Sequence, residues 1–265
     1  MKNIIGLLAV ISLLAAVVIG FYFTQGKTTP EIKLEQPVKA APAPVARVEP
    51  AKPQSVQEIV TPSLPELNDS DPVVREAVSD LLGGDTFKKY FRLEGVVRHI
   101  VVTIDNLSRK TAASRLFPTK PVSGKFLTAG SEENLTISSK NAARYAPYVR
   151  IAESVDAKKL VAIYEHFSPL FQSAYRELGY PNGSFNDRLV TVIDHLLGAP
   201  ELKGSVKLVQ PNVMFLYADP TLEAQSAGRK ILMRMGRENE VKIKAKLREI
   251  RSELADQFAK QLSAK

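Results

Sequence analysis

The stretch PNGSFNDRLVTVIDHLLGAP, residues 181–200, carries the most complete set of helix signals in this chain of 265 residues. Its opening Pro-Asn-Gly is typical of a turn, and Ser184 with Asp187 three residues later resembles a capping box in which Asp replaces Glu. The helix is predicted to reach Leu197 and to end at Gly198, because glycine and the proline beyond it stop a helix. The stretch therefore predicts a well-bounded helix within the body of the protein.

Helix signals continue on both sides of this stretch. Ser70-Asp71-Pro72 places a capping side chain before a proline at the first helical position, and Gly83-Gly84 is predicted to end that helix. Pro169 predicts a kink or break between two further helices, because proline removes a backbone hydrogen bond. The predicted helices span residues 72–82, 87–107, 156–167, 169–178, 185–197, 220–235 and 238–262.

Strand signals are short by comparison. They cover residues 125–129, 135–138, 207–209 and 213–217, and together they could make one small sheet. The fold class predicted for residues 64–265 is therefore a mainly α domain with a small β element. Its last part, residues 238–262, is predicted to be a long C-terminal amphipathic helix.

The N-terminal part of the chain has a different character. Residues 1–3 form a short tail, and Ile4 to Phe23 is an uncharged, mostly apolar run. A helix of that length spans about 30 Å, which matches the hydrocarbon core of a bilayer. A cleaved signal peptide is the alternative, but the run exceeds the usual signal core and Thr24-Gln25-Gly26 is a poor cleavage site. We therefore expect a single retained transmembrane helix, which acts as a signal anchor.

The charges that flank this run point in two directions. Lys2 precedes it, while Lys27, Lys33 and Lys39 follow it closely, so the count of positive residues does not favour export. A short leader that contains a lysine is nevertheless the usual start of an exported anchor. We expect a single-pass protein of the inner (cytoplasmic) membrane whose folded domain lies in the periplasm.

Residues 24–63 are predicted to be a disordered, Pro/Ala-rich linker. Their prolines interrupt a stretch of Ala, Val, Lys and Glu that has no sustained apolar face. Proline restricts the backbone and removes a donor, so such a segment forms a solvated and partly stiff spacer. The remaining residues, 64–265, are long enough to bury a single core.

The net charge of +8 is concentrated near the C-terminus, where residues 229–251 contain nine basic and three acidic residues. Lys244, Arg248 and Arg251 align on one helical face, which could attract anionic lipid or an anionic polymer. No nucleic-acid motif accompanies them, so we do not expect a nucleic-acid partner. A second stripe, Ile243, Leu247, Ile250 and Leu254, is more typical of a face packed on its own domain, with a coiled-coil homodimer as the alternative.

Candidate reactive residues are few. The chain has no cysteine, no phosphate-binding Gly-rich loop and no HExxH motif. Asp187, Asp194 and His195 lie on neighbouring strips of the predicted 185–197 helix, and His166 could join them to form a metal or acid–base site. Such groups more often pack and form hydrogen bonds inside helical domains, so we expect no cofactor and no metal. An enzymatic role requires these groups to meet in one pocket.

A second cluster places two tyrosines and two arginines around a proline. Arg144, Tyr145, Tyr148 and Arg150 are residue types that often anchor binding interfaces. Aromatic residues that cover the core at a helix end are the simpler interpretation. Both interpretations remain open from the sequence.

Several runs resemble an uncharacterised bacterial family, the domain of unknown function 3014. They are RYAPYV (144–149), PLFQSAYRELGYP (169–181), FNDRLV (185–190), IDHLL (193–197), ADPTLE (218–223) and SAG (226–228). The resemblance covers roughly residues 64–254 and implies an N-terminal membrane span followed by a Pro-rich linker. It carries over no catalytic residue, because no activity is established for the family.

The sequence thus favours a membrane-anchored envelope protein whose domain is a binding or scaffolding module. Its expected partners are another envelope protein or a second copy of itself. A tethered periplasmic hydrolase or metal-dependent enzyme that uses Asp187, Asp194 and His195 is the alternative.

Overall fold

The computed structural model describes residues 64–263, in which helices predominate. The helices are α1 (Asp71–Leu82), α2 (Gly84–Tyr90), α3 (Val96–Leu107), α4 (Asn141–Ser154), α5 (Ala157–Glu177), α6 (Phe185–Leu197), α7 (Pro220–Glu223), α8 (Ala227–Arg234) and α9 (Arg237–Ser263). Short 3-10 helices cover Leu67–Asp69, Ser114–Leu116 and Glu132–Asn134. The prediction of a mainly helical domain is confirmed, and residues from Pro65 onward belong to one compact unit.

The predicted anchor at Ile4–Phe23 and the predicted linker at residues 24–63 lie outside the described residues. Within residues 64–263, no helix combines the length and the apolar character that crossing a bilayer requires.

Helix α6 forms as its sequence predicts. It begins at Phe185 and ends at Leu197, and the Ser184 hydroxyl accepts a hydrogen bond of 3.2 Å from the Asp187 N–H. One face of the helix is buried by Leu189, Ile193 and other apolar residues. The local signals and the burial agree here, so the boundaries could be predicted to the residue.

The core lies where α3, α5, α6 and α9 pack on one another. Helix α3 contacts α5 and α6, and the long helix α9 lies against α4, α5, α6 and α8. The stripe predicted on α9 is part of this core, because Ile243, Leu247, Ile250 and Leu254 are each at most 2% exposed. This stripe is therefore covered by the domain's own helices.

The continuous helix predicted for residues 87–107 is wrong. Helix α2 ends at Tyr90, and α3 starts only after Gly95, whose φ of 61° is left-handed. The Asp71 carboxylate accepts hydrogen bonds from the Gly95 N–H (2.6 Å) and the Val96 N–H (2.9 Å). A carboxylate on these free N–H groups stabilises the start of a helix, so a residue distant in sequence sets this boundary.

Pro169 does not divide the helices predicted at 156–167 and 169–178. Helix α5 runs through it as one element of 21 residues. Phe167, Leu170 and Phe171 are all buried around the proline. The free energy gained by burying these side chains on both sides offsets the loss of the backbone hydrogen bond that the proline removes.

The single helix predicted for residues 220–235 is also wrong. Asp219 caps the short helix α7, and Ser226 caps a new helix, α8, by accepting from the Arg229 N–H. The second cap at Ser226 competes with helix continuation, because a capping side chain satisfies a free backbone N–H where a helix starts.

The small β element is confirmed and consists of two antiparallel ribbons. Strand β1 (Thr128–Ala129) pairs with β2 (Thr136–Ile137), and β3 (Leu208–Val209) pairs with β4 (Leu216–Tyr217). A single bridge between Thr136 and Lys207 joins the ribbons. Phe126, Leu208, Tyr217 and Met233 form a small core beneath them, so the ribbons are packed onto α8.

Candidate functional site

The four candidate reactive residues have separate neighbours. Asp194 pairs with Arg251 at 3.0 Å, and Asp187 lies in the first turn of α6. His166 is exposed, and its ring contacts the ring of its neighbour Phe167 in an edge-to-face arrangement. Within the part of the chain that the structure describes, no group of three His, Cys, Asp or Glu residues is placed to hold a metal ion.

His195 forms a contact that joins two helices. Its Nε2 lies 2.8 Å from the hydroxyl of Ser226, which is the capping residue of α8. Since the Ser226 oxygen already accepts from the Arg229 N–H, its own proton is available to the imidazole. Burial, together with the positive charges of Arg229 and Arg188, lowers the pKa of His195. The neutral ring is therefore favoured, and it links α6 to α8.

This contact predicts a pH dependence of stability. The pKa of His195 is lower in the folded protein than its ordinary value of 6.5, so the unfolded chain binds more protons in the pH range between the two pKa values. The stability that neutral His195 contributes is present above pH 6.5 and is lost as the pH falls through the folded pKa. His195→Gln keeps an acceptor for Ser226 and should flatten the dependence of the unfolding free energy on pH in this window. Urea titrations at a series of pH values measure it, and equal slopes for both proteins would contradict the assignment.

A buried ionic network centred on Asp105 was not predicted from the sequence. Arg188 Nε lies 3.0 Å from one Asp105 oxygen, and an Arg109 nitrogen lies 2.6 Å from the other. The Tyr180 hydroxyl also donates to this second oxygen, at 3.2 Å. Hydrogen bonding to Asp105 raises the pKa of Arg109, so its charge is retained. The network ties α6 to α3 and has a structural role.

The Arg/Tyr cluster of α4 supports the core. Tyr145 and Tyr148 are 2% and 5% exposed, and burial raises the pKa of Tyr148 to about 12. Arg144 donates to the carbonyls of Ser123 and Gly124, which fixes the preceding loop. Arg150 alone of the four is exposed. The structure therefore uses three of these residues in packing and loop attachment.

The three cations proposed to form an anionic-surface site do not share one exposed face. Lys244 is buried, 3.0 Å from the carboxylate of Glu240, and donates to the carbonyl of Ala199. Arg251 pairs with Asp194, and Arg248 is exposed. Lys244 does not lie on an exposed surface with the other two, because its side chain is only 3% exposed.

The candidate ligand site is a cavity of about 590 Å³ between the β ribbons and the start of α9. Its wall combines residues from β2, the start of α4, the loop at 202–206 and the junction of α8 and α9. Arg234 and Arg237 lie on the two sides of Gly236 at this junction, and both line the cavity. Gly236 has a φ of 88°, a left-handed conformation in which glycine is strongly preferred.

The cavity residues were missed because they come from four separate segments. Arg-Met-Gly-Arg at 234–237 is the local signal that could have found part of it. This run carries two positively charged residues, one on either side of a glycine, at the junction of two helices. The loops that face them follow no periodic pattern, so their approach depends on the tertiary fold.

A second cavity, of about 380 Å³, lies between α3 and α5. His99 lines it, but its Nδ1 lies 2.6 Å from the carbonyl oxygen of Leu116. At its edge, Arg98 forms hydrogen bonds with Glu177 and Asn68, so the polar groups here hold neighbouring segments together.

The described residues thus form a mainly helical domain with a small β element and a cavity of about 590 Å³. The chain belongs to the family described as Protein of unknown function (DUF3014), which matches residues 96–251. The match extends from the start of α3 into α9, and it confirms the family resemblance found in the sequence. No curated protein and no solved structure matches the chain.

Proposed function

We propose that this chain is a single-pass, membrane-anchored protein of the bacterial envelope whose helical domain is a binding or scaffolding module. The apolar run Ile4–Phe23 supports the anchor, and the Pro-rich residues 24–63 support a spacer between membrane and domain. The domain is placed in the periplasm in this proposal, where another envelope component is its partner.

The cavity beside α9 is the observation that carries the proposal of binding. Its volume of about 590 Å³ lies within the range of small-ligand sites. Its wall is held in place by hydrogen bonds, since Asn239 donates to the carbonyls of both Ala142 and Met235. Arg234 is similarly fixed above the ring of Tyr217, 5.2 Å from its centre. A preformed site of this kind loses little conformational entropy when a ligand binds.

The enzymatic alternative has less support from the geometry. Asp194 and His195 are each engaged with another side chain, Arg251 and Ser226 respectively. Neither residue lines either of the two cavities described above. A hydrolytic or metal-dependent mechanism would need these groups to face a substrate together.

Site-specific photo-crosslinking in intact membranes tests the binding proposal. A photoreactive phenylalanine derivative is placed in the full chain either at Ser205, which is exposed at the cavity, or at Arg248, which is exposed on α9 away from it. We expect a discrete adduct from position 205 and none from position 248. Tagged and untagged copies expressed together distinguish a homodimer from a different partner by the mass of the adduct. Adducts of equal yield from both positions, or none from either, would contradict the proposal.

The location of the domain is tested separately with a reporter fused after Lys265. An alkaline phosphatase fusion should be active, because that enzyme needs the disulfide-forming conditions outside the cytoplasm. A fluorescent reporter that matures only in the cytoplasm serves as the matched control. Activity of the cytoplasmic reporter alone would overturn the periplasmic placement.

A further inference from the structure

We infer that the cavity beside α9 binds an organic carboxylate, with Arg237 holding its anionic group and an apolar wall holding the attached carbon chain. This inference rests on the proposed binding function and names the class of ligand. It stands on three observations about the residues that line the cavity, which are the exposed Arg237 side chain, the serine hydroxyl groups and the apolar side chains.

The two arginines have different freedom. Arg234 lines the cavity, but its guanidinium donates to the carbonyl of Phe215 at 3.3 Å and lies over the ring of Tyr217, and neither of those residues lines the cavity. The Arg237 side chain is 55% exposed, and it pairs with Glu201 at a long distance of 4.0 Å. The Arg237 guanidinium is therefore the one that can bind a carboxylate, because the planar fork of arginine matches the two carboxylate oxygens.

The charge balance of the wall favours an anion. Among the described residues that line the cavity, Glu238 is the one carboxylate, and its side chain is 83% exposed. Its oxygen lies 3.5 Å from the Lys242 ammonium, which offsets its charge. Helix α9, which is 27 residues long, begins at this wall, and the positive end of its dipole adds to the charge of Arg237.

Hydroxyl groups and apolar side chains complete the wall. Ser138 accepts a hydrogen bond from the Lys140 N–H, which leaves its own proton available for a ligand oxygen. The apolar part of the wall includes Ile137, Leu202 and Met233. An inorganic anion would leave this apolar surface unused, whereas a carboxylate with a short aliphatic chain would cover it.

Calorimetric titration of the full chain in lipid nanodiscs tests the inference. The probes are acetyl-alanyl-alanine with a free carboxylate, the same peptide as its C-terminal amide, and inorganic phosphate. We expect the acid to bind about tenfold more tightly than the amide, because charge-assisted hydrogen bonds to arginine are lost in the amide. Phosphate should bind more weakly than the acid, since it makes no apolar contact.

Variants of Arg237 assign the effect to this cavity. Arg237→Gln should weaken binding of the acid about five- to tenfold, and Arg237→Lys should cause a smaller loss because the charge remains without the fork. Arg248→Gln, on the same helix and outside the cavity, is the matched control and should bind as the wild type does. Arg237 is largely exposed, so we expect each variant to unfold at the wild-type temperature.

Three outcomes would overturn the inference. Equal affinity for acid and amide would show that the anionic group is not recognised. Phosphate binding as tight as that of the acid would indicate a site for inorganic anions, and no binding of any probe would exclude the ligand class. The crosslinking experiment at position 205 tests the proposed binding function separately. A discrete adduct there, together with any of these three outcomes, would contradict the ligand class and leave the binding function supported.

Discussion

Asp105→Asn should destabilise the domain by about 3 to 5 kcal/mol, the usual cost of breaking a buried ion pair from one side. The Asp105 side chain is 4% exposed and lies between Arg188 and Arg109. The substitution keeps the shape of the side chain and removes its charge, so the partly buried Arg188 guanidinium loses its counterion. Urea unfolding followed by circular dichroism at pH 7 measures the change in free energy.

The matched control for this change is an exposed ion pair. Arg98 and Glu177 lie 3.0 Å apart with side chains 42% and 52% exposed. Glu177→Gln should cost no more than about 1 kcal/mol, because water screens charges at the surface. If both substitutions had the same small effect, the Asp105 network would not be the link between α3 and α6 that we describe.

Lys244→Met should cost about 3 kcal/mol, although the residue belongs to the most basic helix of the chain. Its ammonium lies 3.0 Å from the carboxylate of Glu240, and the two side chains are 3% and 1% exposed. Burial raises the pKa of Glu240, while Lys244 opposes this shift. Without the lysine, the carboxylate must either remain charged in the core or take up a proton.

Two further measurements separate this mechanism from a simple loss of packing. The penalty of Lys244→Met should be smaller at pH 5 than at pH 8, because Glu240 binds a proton in the folded state as the pH falls. The double variant Glu240→Leu/Lys244→Met should recover to within about 1 to 2 kcal/mol of the wild type, since no buried charge then lacks a partner. Lys242→Met, a half-exposed neighbour on the same helix, is the control. A double variant no more stable than Lys244→Met would contradict the ion-pair explanation.

Parts of the fold could be predicted from signals that lie within one segment. Helix α6 illustrates this, because its capping serine, its apolar positions and its closing glycine are all found in residues 181–200. The helix predicted at 220–235 was wrong because the local cap at Ser226 starts a new helix, and two other predictions were wrong because a distant contact decided the outcome. The Asp71 carboxylate starts α3 from another helix, and buried aromatic residues keep α5 continuous through Pro169.

The candidate sites were harder to predict than the fold. Basic residues on α9 predicted a charged surface. Their spacing along the helix does not reveal which of them are buried against α6 and the residues that follow α6. Tyr145 and Tyr148 are residue types common at interfaces, and here they are buried. The cavity could not be predicted, because its wall joins segments that are nearly one hundred residues apart in the chain, such as Ser138 and Arg234.

The sequence by itself determined the helical class of the domain, its family, the boundaries of α6 and the apolar face of α9. These properties depend on short-range periodicity and on capping residues, which act within one or two helical turns. Only the tertiary structure decided which charges are buried, where α3 begins and where a ligand can fit. Burial and electrostatic pairing depend on which side chains meet in space, and side chains such as Lys244 and Glu201 meet only when the chain is folded.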